Sequence, residues 1–253
     1  MERYKLVYQQ YRTQNETCWQ LPDGTHPRIH ARGAGDSLCT AGVIHSYASP
    51  ELAAFMNIVH AAIREPRCIV IDAGPMVADD GTKGGHKWAQ MVREVPMPVP
   101  TLQQRVVFAI LSVRAIPGRA PIPIWEQWAD DYLRGYNASV AGARAAEEAA
   151  TATYARASAA YTEYAEYAVA HTAACASAIV AHATDAEYAA HMTAYAAHAT
   201  DAIDAEYAVA HTAAQVAAIV APRGIINFAE MAKRAMAIRQ AVLADRAARK
   251  RKT

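Results

Sequence analysis

The residue types that chemistry needs fall in two groups in the N-terminal half. His45 and Tyr47 sit on a short apolar run, and Asp79, Asp80, Lys83, His86 and Glu94 lie in and after a glycine-rich turn. A lysine beside Gly81, Gly84 and Gly85 suits an anion, because glycines expose backbone amides and the ammonium supplies the opposite charge. The expected ligand is a nucleotide or a phosphate. The order Asp-Asp-Gly-Thr-Lys-Gly-Gly is not the GxxxxGK[ST] loop that precedes a helix in nucleoside-triphosphate sites, and the plain alternative is a solvated hairpin tip. A catalytic alternative takes His45, Tyr47 and Glu94 as an ADP-ribosyl-transfer set, histidine and tyrosine holding NAD while the carboxylate orients a nucleophile. That is analogy from three residue types. No catalytic residue and no cofactor is assigned.

Several elements must position these groups. Tyr4–Tyr11 reads as a first strand, Pro22-Asp23-Gly24 as a turn, and the Gly/Arg-rich run to Gly35 as loop. Val43–Tyr47 is a short strand. Ser49-Pro50 starts a helix by the N-cap and N1 preferences, with Leu52, Phe55, Met56, Val59 and Ile63 as its apolar face and Pro66 as its end. Cys68–Asp72 is a continuous apolar run and hence a buried strand, Asp79-Asp80-Gly81 a turn, and Lys87–Val95 another strand. Thr101 caps a helix to about Ile116, and Trp125, Trp128, Tyr132 and Leu133 mark one more that ends at Gly135.

From Ala143 to Ala221 the composition changes to an alanine-dominated tract without glycine or proline. Alanine has the highest helix propensity, so the tract is expected to be helical. AEYAVAHTAACASAIVA at Ala165–Ala181 returns as AEYAVAHTAAQVAAIVA at Ala205–Ala221, an offset of forty residues. Tyr154, Tyr161, Tyr164, His171 and His182 follow seam spacing, and Tyr188, Tyr195 and Tyr207 extend the aromatic set, so these are assigned to helix packing. Thr184-Asp185-Ala186-Glu187 has capping-box form and Thr200-Asp201 repeats its first half. Helical hairpins and one long rod both remain open. His171, His182, His191, His198 and His211 include no i,i+4 pair, so no metal site is assigned.

The tract is acidic, with nine carboxylates from Glu147 to Glu206 against Arg144 and Arg156, while the segment after Pro222 is basic. The two are expected to pack on each other. The basic run Arg246–Lys252 reads as a solvated helix end, so nucleic acid is not an expected partner. No window has the length and apolarity of a membrane helix, and the start MERYKLVYQQYR lacks a signal peptide's apolar core. Cys18, Cys39, Cys68 and Cys175 are too scattered for a CxxC metal site or a disulfide framework. A cytoplasmic chain without membrane contact is expected.

The segments LCTAGVIHSYASPELAAFMNIVHA, DDGTKGGHKWAQMVREVPMP, TLQQRVVFAILSV and WEQWADDYLRG resemble a recurrent N-terminal module of uncharacterised bacteriophage-type proteins, which is followed by long Ala/Tyr-rich tails. The resemblance covers Leu38–Gly135 and the character of the tail, and it implies a setting rather than an activity. The fold expected is α+β: a small mixed module over 1–136, then an Ala-rich helical repeat region over 143–253. The function expected is that of a phage accessory binding protein, a counter-defence factor that sequesters a host protein or a nucleotide signal and self-associates through its helices. A nucleotide- or NAD-acting enzyme and a structural rod are the alternatives.

Overall fold

Arg67–Ala73 forms the central strand of the N-terminal sheet, and its middle residues Cys68, Ile69, Val70 and Ile71 are wholly buried. Burial on both faces explains why the run is continuously apolar rather than alternating. In this computed structural model the described residues are 1–13, 16–21, 23–115, 121–134, 141–142, 145–146, 148–149 and 226–238. By its contacts the chain divides into two units, Met1–Pro100 with Val220–Ala232, and Thr101–Ile219 with Lys233–Thr253.

The first unit is built from strands β1 (Glu2–Val7), β2 (Arg28–His30), β3 (Ile44–Ser46), β4 (Arg67–Ala73), β5 (Met76–Asp79), β6 (Gly84–His86) and β7 (Trp88–Val95), with helix α1 (Pro50–His60) after β3. Four strands make an antiparallel sheet in the order β1-β4-β7-β2, and three make a second in the order β3-β6-β5. The sheets are tied where Tyr4 and Tyr47 exchange both backbone hydrogen bonds, at 3.0 and 2.7 Å. A register shift after Val70 sets Val92 outward as an extra residue on β7. Between the strands lies a core of Val7, Trp19, Ile44, Ile69, Ile71 and Met91.

α1 begins as its sequence signals require. Ser49 Oγ accepts from the Leu52 amide at 3.2 Å, Pro50 occupies the first turn, and Leu52, Phe55 and Met56 are fully buried. Ser49 is itself buried, so Ser49→Ala should lower unfolding free energy by about 1–2 kcal/mol, read from urea midpoints at unchanged slope. The helix stops at His60, well before Pro66. Asn57 is the reason: its carbonyl accepts from both Ala61 and Ala62, while its side chain brackets Ile63, donating to the carbonyl at 2.8 Å and accepting from the amide at 3.2 Å.

Three strands lie where the sequence suggested none. β2 falls inside the run read as loop, a strand that pairs with β7 at the edge of the sheet among the described residues. β5 and β6 form a hairpin around the Asp79–Lys83 turn, although β6 is Gly84-Gly85-His86. Glycine stands there for space. A Cβ at Gly84 would lie 2.8 Å from Arg3 Nη2 and Met76 Sδ, and one at Gly85 would lie 3.1 Å from Val43. In the returning segment at 226–238, Phe228 is buried with its ring over Gly81.

In the second unit, α2 (Leu102–Arg114) opens with a full capping box between Thr101 and Gln104. α3 (Pro123–Leu133) buries Trp125 and Trp128, and Arg114 bridges to Glu126 and Asp130 at 3.2 and 2.8 Å. The N-terminal part of the chain is thus mixed helix and antiparallel sheet. The packing positions Tyr154, Tyr161, Tyr164, His171, His182, Tyr188, Tyr195 and Tyr207 lie outside the described residues.

Candidate functional site

A cavity of the first unit has a volume of about 500 Å3, within the range of small-molecule sites. β1 contributes Lys5 to its lining, β3 and the residues after it His45 and Tyr47, the end of α1 His60, and the β5–β6 turn Lys83. Trp19 comes from the excursion after β1, and Cys39, Thr40 and Ala41 from the loop before β3. That loop is pinned by Lys87, which donates to the carbonyls of Gly35 and Gly42 and pairs with Asp36 at 2.7 Å.

Charge in the cavity has one sign. Lys5, Lys83 and Arg32 line it, and no carboxylate does among the described residues. Lys5 Nζ donates to the His45 carbonyl at 3.0 Å and lies 5.4 Å from the centre of the Trp19 ring. Burial lowers its pKa to about 8. Lys83, buried, donates from Nζ to Cys39 Sγ at 3.0 Å. Neither lysine has a carboxylate partner among the described residues.

The histidines respond to this field. His45 is held at about 4, first by burial and then by the charges of Lys5 and Lys83, with Asp80 opposing. The Cys39 amide donates to His45 Nε2 at 2.9 Å, so the neutral ring carries its proton on Nδ1. Cys39 itself has a left-handed backbone, φ 61°. His60 is likewise held at about 4, by burial and by Lys83, against the pull of Asp80. Its ring stacks on Tyr47 with centroids 6.0 Å apart. Two buried polar atoms of the lining residues, Trp19 Nε1 and His60 Nδ1, have no hydrogen-bond partner among the described residues. Groups of this kind mark a place where a ligand or water supplies the missing bond.

The seven residues singled out by sequence separate into four settings. His45, Tyr47 and Lys83 share the cavity. Asp79 and Asp80 fold the turn: Asp79 Oδ1 accepts from the Gly81 amide at 2.8 Å, and Asp80 Oδ1 accepts from the amides of Thr82 and Lys83, both at 2.9 Å. The amides offered on paper to a phosphate are therefore taken by the turn's own carboxylates, while Gly84 and Gly85 are buried in β6. His86 is a structural link, fully buried, with Nδ1 against the Gly74 carbonyl and Nε2 against Ser46 Oγ, each at 2.8 Å. Arg3 Nε donates to the same Ser46 oxygen at 3.1 Å, joining β1 to β3.

Glu94 is placed apart from the cavity. Its Oε2 accepts from Tyr11 at 2.6 Å and from Arg67 at 3.2 Å, beside a second hollow lined by Pro66, Cys68 and Pro96. The histidine, tyrosine and glutamate of the transfer analogy do not meet in one cavity. Sequence reasoning missed Lys5, Trp19, His60 and Cys39, which reach the cavity from separate segments. Lys5 left one sign: with period-two alternation it shares the face of buried Val7, so a charged residue points inward.

No protein-family model, curated protein or solved structure matches this chain. Among the described residues no three histidine, cysteine or acidic side chains converge as a metal site, and no helix is long and apolar enough to cross a membrane.

Proposed function

We propose that this chain is an accessory binding protein whose N-terminal α+β unit captures a small anion of the nucleotide class. The observation that carries this is the cavity lining: two lysines and an arginine with no carboxylate among the described residues, beside the rings of Trp19, Tyr47 and His60. Lys5 and Lys83, without a carboxylate partner among the described residues, attract a phosphate, and aromatic faces suit a planar base. Neutral histidines leave the positive charge uncompensated without adding a general base of ordinary strength. The phage-type resemblance gives the proposal its setting, sequestration of a nucleotide signal in the host cytoplasm with the helical region serving self-association.

Thermal unfolding of the full chain with nucleoside monophosphates, diphosphates and cyclic nucleotides tests it. Ligand at about a hundred times its dissociation constant stabilises by about 2.7 kcal/mol, a readily measured rise in midpoint. The rise should shrink with added salt and be absent for the uncharged nucleosides. Equal shifts with nucleosides and nucleotides would remove the anion from the reading.

A further inference from the structure

We propose that Lys5 is a covalent carbonyl-capturing residue, condensing with a phosphate-bearing aldehyde inside the 500 Å3 cavity to form an imine. Three features of the geometry carry this. Lys5 is the lysine held over the Trp19 ring, with its Nζ oriented by the His45 carbonyl at 3.0 Å. It has no carboxylate partner among the described residues, so no ion pair holds it as an ammonium. A second cation, Lys83, lines the same cavity and is left to hold the phosphate while Lys5 reacts.

The chemistry closes without a further reactant. The neutral amine attacks the carbonyl carbon to give a carbinolamine; the C–O bond then breaks, water leaves with both amine hydrogens, and a C=N bond replaces C=O. A lysine suits this role when burial keeps a share of it neutral near pH 7. Burial holds Lys5 at about 8, so about one molecule in ten carries the free amine at pH 7. The charged and titratable groups that share the cavity with it are His30, His45, His60, Tyr47, Lys83, Arg32 and Cys39, with no carboxylate among the described residues. Trp19 Nε1 and His60 Nδ1, buried without partners among the described residues, are available to the aldehyde's ring or hydroxyl substituents. This goes beyond anion capture, because a nucleotide can occupy the same cations with no bond formed.

The test uses the full chain with pyridoxal phosphate at equimolar ratio, followed by borohydride reduction and peptide mass mapping. Lys5 should take most of the label, at a rate rising through a midpoint near pH 8, whereas exposed lysines follow their ordinary titration near 10. Lys83→Ala should slow labelling at Lys5 about tenfold or more with pyridoxal phosphate and leave it unchanged with pyridoxal. Lys5→Arg keeps the charge and should abolish the adduct without moving it to Lys83. Label distributed over surface lysines, with Lys5 unmodified in a folded chain, overturns the proposal. A nucleotide-induced thermal shift with no Lys5 adduct likewise overturns it while sparing the anion reading. A Lys5 adduct with no nucleotide shift supports it and counts against the nucleotide class alone.

Discussion

Acidification from pH 6.5 to 4 should remove a large part of the stability of the first unit, through His45 and His60. Both are held at about 4 in the folded chain against 6.5 when free, so between these values the unfolded chain binds more protons. Stability therefore rises with pH across the window and is lost as pH falls. At full protonation one such histidine represents about 3 kcal/mol. His45, open in part to the cavity and its water, counts for less, and the pair together should amount to about 3–5 kcal/mol, a serious fraction of a typical domain's 5–15. Urea midpoints at pH 7 and pH 4.5 measure it. His60→Phe isolates the cause: the ring can still stack on Tyr47, the unpartnered Nδ1 disappears, and roughly half of the acid sensitivity should go with it. An unchanged difference between the two pH values in that variant would assign the sensitivity to carboxylates instead.

The parts of this fold that could be read from sequence are those whose signals are local. Ser49-Pro50 and Thr101 with Gln104 state their helix starts within a few residues, because a cap satisfies amides of its own first turn. The apolar run at Cys68–Ile71 declares a strand buried on both faces. β6 was illegible for the opposite reason. Its glycines answer to Arg3 and Val43, which are remote in the chain, and to Met76 across the hairpin, and their low strand preference conceals a central strand of the smaller sheet.

The site divides along the same line. His45, Tyr47 and Lys83 could be chosen by type, since a histidine and a tyrosine on a strand and a lysine in a glycine-rich turn are conspicuous. Lys5, Trp19 and His60 join them only through antiparallel pairing of β1 with β4, the excursion ending at Trp19, and the length of α1. Glu94 shows the converse. Its type made it a candidate, but its register opposite Ile69 on β4 sets it with Arg67 and Tyr11, outside the cavity.

Replacing Lys83 by alanine should weaken anion binding about ten- to a hundredfold while leaving Glu94→Gln without effect on affinity. Lys83 lines the cavity, and a charge-assisted hydrogen bond to a bound phosphate is worth about 1.5–3 kcal/mol. Among the described residues its ammonium donates to the Cys39 sulfur, a weak acceptor, so little folding energy is lost with it. The turn that carries it is fixed by Asp79 and Asp80 through backbone amides, which alanine retains. Glu94→Gln removes a partly exposed pair with Arg67, worth about 0–1 kcal/mol, and touches no cavity residue. Isothermal titration of the best nucleotide found by thermal shift, on the two variants and the parent, separates the cases. Affinity lost in Lys83→Ala and kept in Glu94→Gln places the ligand among Lys5, His45 and Lys83. Affinity lost in Glu94→Gln alone would move it to the hollow beside Arg67 and Pro96, and with it the whole account of which charges meet the anion.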